Sequence, residues 1–140
     1  MNELDEKYRR PALVRRLLDA RTIAVVGLSA NPARPSHGVG AYLLKAGYQV
    51  IPVNPMESEV LGQRAYPSLL EVPGQVDLVD VFRAPDAVPE IAEQAVQIGA
   101  GGLWLQLGVI SPRGISIAEA GGLDVVVDLC IKIEHARYAA

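Results

Sequence analysis

The sequence predicts a doubly wound α/β fold, and three observations carry that expectation. Five short apolar runs, four of them containing β-branched residues, recur along the 140 residues, segments of helical period lie between them, and the first run ends on a glycine that opens a polar loop. Strands alternating with helices make βαβ units, whose right-handed crossovers lay parallel strands side by side with helices on both faces.

Taken in order, residues 11–20, apolar at Leu13, Val14, Leu17 and Leu18, are predicted as a leading helix lying on the sheet. Residues 22–27 (Thr-Ile-Ala-Val-Val-Gly) read as a strand buried on both faces. Residues 38–46 place Val39, Tyr42, Leu43 and Ala46 at helical spacing, and 48–53 form the second strand. The stretch 54–74, with Pro55, Gly62, Pro67, Pro73 and Gly74, is too broken for a regular helix, and only a short helical turn is expected near 68–71. A third strand follows over 76–82. Residues 86–98 carry Val88, Ile91, Ala92, Ala95, Val96 and Ile98 on a helix, and the last strands are 102–107 and 123–127. The expected whole is a Rossmann-like, doubly wound parallel sheet of about five strands with helices on both faces, in one domain over residues 1–140.

Composition removes several classes of function. With 50% hydrophobic residues the chain has material for a core, and a chain this long buries roughly 70% of its unfolded surface, so neither disulfides nor a structural metal is needed. Thirteen basic against sixteen acidic residues give 13 − 16 = −3, the wrong sign for an electrostatic nucleic-acid binder. Cys130 is the single cysteine, which rules out an intramolecular disulfide and the metal spacings built from cysteine pairs. A reducing, cytoplasmic home fits. Residues 1–21 mix six basic residues with Glu3, Asp5, Glu6 and Asp19 and lack the apolar stretch of a signal peptide, and no apolar run approaches the roughly 18 residues of a membrane span.

In an open α/β sheet the ligand sits outside the carboxyl ends of the strands, where strand order reverses. After the first strand the loop carries Gly27, Ser29, Asn31, Arg34 and Ser36 before the helix begins. Such a loop turns backbone N–H groups inward, and the helix N-terminus behind it adds positive potential, a combination that suits phosphate. The plainer alternative makes Gly27 a tight-turn residue and Ser36 an N-cap. The dinucleotide fingerprint needs glycine at the third and sixth loop positions and an acid about 20 residues on. Here those positions hold Ser29 and Pro32, and the second strand ends Val53-Asn54-Pro55, so NAD(H) binding by an oxidoreductase or redox sensor is the disfavoured alternative.

Five blocks carry a resemblance: Gly27-Leu28-Ser29 with Asn31 and Pro32; residues 47–55; Val81-Phe82-Arg83; residues 104–108; and residues 130–135. In this order they resemble the small stand-alone CoA-binding protein family, which is similar to the CoA-binding domain of the succinyl-CoA synthetase α subunit and of ADP-forming acyl-CoA synthetases. The resemblance runs from about Leu13 to Arg137. It implies that coenzyme A lies across the switch point, with Gly27, Ser29, Asn31, Arg34 and Ser36 at its phosphates and Val53, Asn54 and Pro55 at the adenosine end. Phe82 and Arg83 would line the next strand end, and Leu105 and Gln106 would lie beside the pantetheine arm. The chain departs from the family's pattern at Leu129, where a basic residue is usual, and at Gly121-Gly122, expected to fray the helix there by roughly 1 kcal/mol per added glycine.

The residues also set limits on chemistry. Arg83 points at ligand, caps sheet-end carbonyls or pairs with Asp86. Phe82 and Trp104 read as core residues, and Cys130 as a small buried hydrophobe. Asp77 and Asp80, three apart on a strand, face opposite sides and make no catalytic pair, while Asp77 reads as a strand-entry residue. His37 and His135 have no visible acid partner and nucleophile, and no metal site is indicated. The sequence is therefore read as a binding module for CoA or an acyl-CoA without catalytic apparatus of its own, with no nucleic-acid or membrane partner and no protein partner specified.

Overall fold

The computed structural model of the chain describes residues 3–139. Helices α1 (Glu3–Tyr8) and α2 (Pro11–Leu18) lead into β1 (Thr22–Val26), α3 (Pro35–Lys45) and β2 (Gln49–Val53). A hairpin of β3 (Glu59–Val60) and β4 (Gln63–Arg64) and a 3-10 turn (Leu69–Glu71) connect to β5 (Leu78–Val81). Then follow α4 (Val88–Gln97), β6 (Gly102–Leu105), α5 (Pro112–Ala120), β7 (Asp124–Val127) and α6 (Ile131–Tyr138).

The main sheet is five-stranded, in the order β2-β1-β5-β6-β7, and every pair is parallel. The chain steps outward from β1 to β2 and then returns past β1 to β5, so strand order reverses between β1 and β5. The fold is the Rossmann-like sheet the sequence predicts. Alternation along each strand divides the core. Ala24, Val26, Val79, Val81, Leu103, Leu105, Val125 and Val127 pack beneath α4 and α5, while Ile23, Val25, Leu78, Trp104 and Val126 pack beneath α2, α3 and α6. Asp77 is the strand-entry residue expected of it, since its Oδ2 accepts the N–H groups of Arg21 and Thr22 at 3.0 Å each and pins the start of β1.

Several elements differ from their sequence-based outline. The third and fourth ladders are shorter than the apolar runs that announce them, because Val76 is buried ahead of β5 and Gln106 and Leu107 continue past β6 as loop. Helix α3 starts at Pro35, three residues before the apolar period, with proline at its first position where a preset φ and a missing N–H cost nothing. The hairpin turns through Leu61 and Gly62, both at positive φ (54° and 74°), the pairing a two-residue β turn requires. Leucine at the first of these positions is a weak signal. Gly121 and Gly122 lie beyond the last residue of α5 rather than inside it, so they terminate that helix instead of fraying it. A side chain at Gly121 would collide with Val96, and the glycine lets α5 lie close against α4.

Asp80 is the anomaly of the core. It is 0% exposed, flanked in register by Val25 and Trp104, and among the described residues neither carboxyl oxygen has a hydrogen-bond partner. Burial alone pushes its pKa well above the usual carboxylate range. Between the ordinary value and the raised one, the folded chain keeps a proton that the unfolded chain releases, so folding stability falls as pH rises, by at most about 1.4 kcal/mol per pH unit. Asp80→Val, of similar size and suited to a strand, is expected to be more stable than the parent by at least about 1 kcal/mol at pH 8, with the gap narrowing toward pH 4. Urea unfolding of both proteins across that range measures it, and a variant weaker than the parent at pH 8 contradicts it.

Candidate functional site

Three cavities lie along the carboxyl edge of the sheet and share walls. The first, about 160 Å³, is bounded by Val26, Val53, Pro55, Ser68, Arg83 and, on α4, Glu90 and Gln94. The second, about 260 Å³, lies over Gly27 between Ser29, Arg34, Pro35, Ser36 and Phe82. The third, about 450 Å³, is walled by Pro35, Val39, Phe82, Arg83, Gln106, Leu107, Val109 and Cys130. Arg83 joins the first cavity to the third, and Pro35 and Phe82 join the second to the third.

Gly27 sets the middle of this edge. Its φ is +89°, and a Cβ there would collide with the carbonyl oxygen of Phe82 and sit 3.1 Å from Arg83 Cδ. The strand ends around it are tied by Gly27 N–H donating to Val53 O at 2.8 Å and Phe82 N–H donating to Val26 O at 2.8 Å. The loop beyond is braced by its own side chains. Ser29 N–H donates to Ser36 Oγ at 3.0 Å, Asn31 N–H to Ser29 Oγ at 3.0 Å and Ala33 N–H to Asn31 Oδ1 at 2.9 Å. Ser36 therefore ties the loop back from the first turn of α3, while Arg34 occupies the N-cap position, makes no capping bond and leaves that turn without an acidic residue. His37 N–H donates to Arg34 O at 3.1 Å, and the positive end of the helix has no cap from the Arg34 side chain.

Charge gathers at the same place. Arg34 and Arg83 are exposed, and among the described residues neither forms an ion pair, with Asp86 or any other carboxylate. Two uncompensated guanidinium groups beside a helix N-terminus suit an anion with several oxygens.

The sequence-derived residues divide by position. Gly27, Ser29, Arg34, Ser36 and Phe82 come together around the second cavity, Val53, Pro55 and Arg83 around the first, and Phe82, Arg83 and Gln106 around the third. Asn31 lies outside these walls as a loop brace. Asn54 is a pin as well, its Nδ2 donating to Leu28 O at 3.0 Å and its Oδ1 accepting Met56 N–H at 2.9 Å. Leu105 is fully buried in the core beneath α4 and α5 and lines none of the three cavities. The walls that sequence reasoning missed include Val39 and Pro35 of α3, Leu107, Val109 and Cys130, and Glu90 and Gln94 of α4. The last two stand one turn apart on the polar margin of an amphipathic helix, a signal any exposed helix shares.

Trp104 is core, as expected, with its Nε1 donating to Leu129 O at 2.8 Å. His135 bonds Tyr42 Oη through Nδ1 at 2.8 Å and lines a separate cavity with Arg15, Asp19, Tyr48 and Tyr138, beside the entries of β1 and β2. His37, in the first turn of α3, is thus held at the other end of the sheet. Among the described residues no group of three or more His, Cys, Asp or Glu could hold a metal ion, and no helix is long and apolar enough to cross a membrane.

Comparison with known proteins gives a consistent picture. Residues 21–136 match the family model described as CoA binding domain. The uncharacterized protein YneT of Bacillus subtilis (strain 168) is 42% identical over 117 residues, covering 84% of this chain and 87% of that one. ADP-forming acetate–CoA ligase II of Archaeoglobus fulgidus is 29% identical over 108 residues, which are 76% of this chain but 16% of the ligase. A solved structure of a hypothetical protein from Pyrococcus horikoshii OT3 superposes with a TM-score of 0.91 at 37% identity, covering 94% of this chain and 93% of that one.

Gly27→Ala tests the constraint at the centre of the edge. The added methyl group must displace the Phe82 carbonyl in a backbone conformation that disfavours it, so a loss of about 1–3 kcal/mol is expected in chemical denaturation. Gly38→Ala, where a Cβ meets nothing within 4 Å, is the helical control expected to hold or gain stability.

Proposed function

We propose that this chain, which belongs to the CoA binding domain family, binds coenzyme A or an acyl-CoA along the carboxyl edge of its sheet as a single-domain module without catalytic apparatus of its own. The observation that carries this reading is the run of three joined cavities centred on Gly27, with Arg34, Arg83 and the N-terminal end of α3 as uncompensated positive groups. The pyrophosphate lies over Gly27 against Arg34 and the first turn of α3. The adenosine end takes the cavity between Val53, Pro55 and α4, and the pantetheine arm runs toward Gln106. The acetate–CoA ligase among the relatives supports CoA as the ligand. A reducing cytoplasmic compartment agrees with a single cysteine.

The side chains around the edge favour holding over reacting. Thioester chemistry needs a nucleophile or base within reach of the carbonyl and donors aimed at the developing oxyanion. Ser36 is buried with its Oγ already accepting the Ser29 N–H. His37 follows it on the helix, where adjacent side chains point about 100° apart, so Ser36 gains no base from its neighbour, and Ser29 Oγ already accepts the Asn31 N–H.

Two measurements test the reading. CoA at a hundredfold excess over its Kd stabilises by about 2.7 kcal/mol, so it should raise Tm by several degrees while NAD at the same concentration does less. Equal stabilisation by NAD defeats the proposal. Arg34→Ala should weaken CoA by about tenfold and pantetheine hardly at all, with the loss shrinking as salt rises, as a phosphate contact requires. Calorimetric titration with both ligands at two ionic strengths separates this from a general loss of the site.

A further inference from the structure

The third cavity differs from its neighbours in chemistry. Its far walls are Val39, Val109, Leu107 and the half-buried thiol of Cys130, and none of them carries a charge. Arg83 stands at the end shared with the adenosine-side cavity. At about 450 Å³ the third cavity is the largest of the three along this edge.

Gln106 supplies the one polar group of the deep wall. The residue is 5% exposed, and its Oε1 accepts the Ile131 N–H at 3.1 Å. Only the oxygen of a carboxamide accepts from an N–H, so the start of α6 fixes which way the amide is turned. The amide nitrogen is left with no hydrogen-bond partner among the described residues, on a side chain that lines the cavity. What it lacks is an acceptor, and a carbonyl oxygen set among apolar groups is one.

We propose that this cavity receives the acyl group of a CoA thioester, an uncharged aliphatic chain of a few carbons, with Gln106 Nε2 donating to the thioester carbonyl. The inference rests on the CoA reading above and adds what the thiol carries. Among the described residues Arg83 is the one charged side chain lining the cavity and belongs with the phosphates in the reading above, so a carboxylate carried in among Val109 and Cys130 would lose its water without a free partner. The walls thus select an aliphatic acyl-CoA over both free CoA and a dicarboxylic acyl-CoA.

Calorimetric titration of the full chain with CoA, acetyl-CoA, butyryl-CoA, S-butyl-CoA and succinyl-CoA tests this. At about fourfold per buried methylene, butyryl-CoA should bind about fifteenfold tighter than acetyl-CoA. S-butyl-CoA, a thioether with the chain but no carbonyl, should bind about fivefold weaker than butyryl-CoA. Succinyl-CoA should bind no tighter than acetyl-CoA. Cys130→Leu narrows the cavity and should erase the butyryl gain, and an unfolding midpoint within a few degrees of the parent shows that the variant is folded. Butyryl-CoA no tighter than acetyl-CoA, succinyl-CoA as tight as butyryl-CoA, or a gain that survives Cys130→Leu overturns the acyl assignment while CoA still binds. Binding of none of the five ligands overturns the CoA reading itself.

Discussion

The carboxyl edge depends on how closely two backbones meet where β1 and β5 end. Strand order reverses between them, which opens a crevice, and Gly27 narrows that crevice to backbone against backbone because no Cβ keeps it from the Phe82 carbonyl. Hydrogen bonds from Gly27 to Val53 and from Phe82 to Val26 then lock three strand ends in one register. With the strand ends held, the loop after Gly27 must rise over the edge before α3 can begin. That path brings Arg34, the first turn of α3 and Phe82 around one cavity.

The polar residues of this loop mostly bind one another. Ser36, Ser29 and Asn31 each accept a backbone N–H from within the loop, and Asn54 bridges from β2 to Leu28. A loop rich in serine and asparagine reads in sequence as a set of ligand contacts. Folded, it is a preformed surface whose remaining capacity lies in hydroxyl protons, unpaired helix N–H groups and two arginines. Ordering has already been done in the free chain, so a ligand meets less of the entropic cost that a floppy loop would impose. The arrangement also explains the tolerance for exposed guanidinium groups at a helix N-terminus, which repels cations and is stable only because water or an anion covers it.

Much of the fold was legible because burial on both faces writes a strand as a short apolar run rich in β-branched residues, as residues 22–26 and 125–127 show. Asp77 was legible for a related reason, since a carboxylate just before such a run has N–H groups to accept. The hairpin was not, because Leu61 at positive φ is a choice that tertiary packing imposes and local propensity opposes. Leu105 shows the limit of register. Its neighbour Gln106 continues past the ladder into the cavity, whereas Leu105, still within the ladder, points into the core beneath α4. Val39 of α3, Val109 in the loop after β6 and Cys130 in the loop after β7 meet at one wall, a convergence that no spacing encodes. Asp80 reads in sequence as an ordinary acid, and only its full burial between Val25 and Trp104 reveals a carboxyl whose pKa is pushed up by desolvation.

The end of β2 shows how one position settles what the edge can hold. A carboxylate here would grip a ribose through its hydroxyls in a dinucleotide-binding sheet. The chain places Asn54 there, and both ends of its amide are engaged, one donating to Leu28 O and the other accepting from Met56 N–H. An aspartate could keep the second bond but has no hydrogen to give the first, and its charge would neutralise part of the positive potential of the loop that carries Arg34. The amide that braces the loop from β2 therefore excludes the acid that would read a ribose. Shape and charge at this edge favour a ligand anchored through its phosphates, with the rest of it lying along the apolar walls that follow.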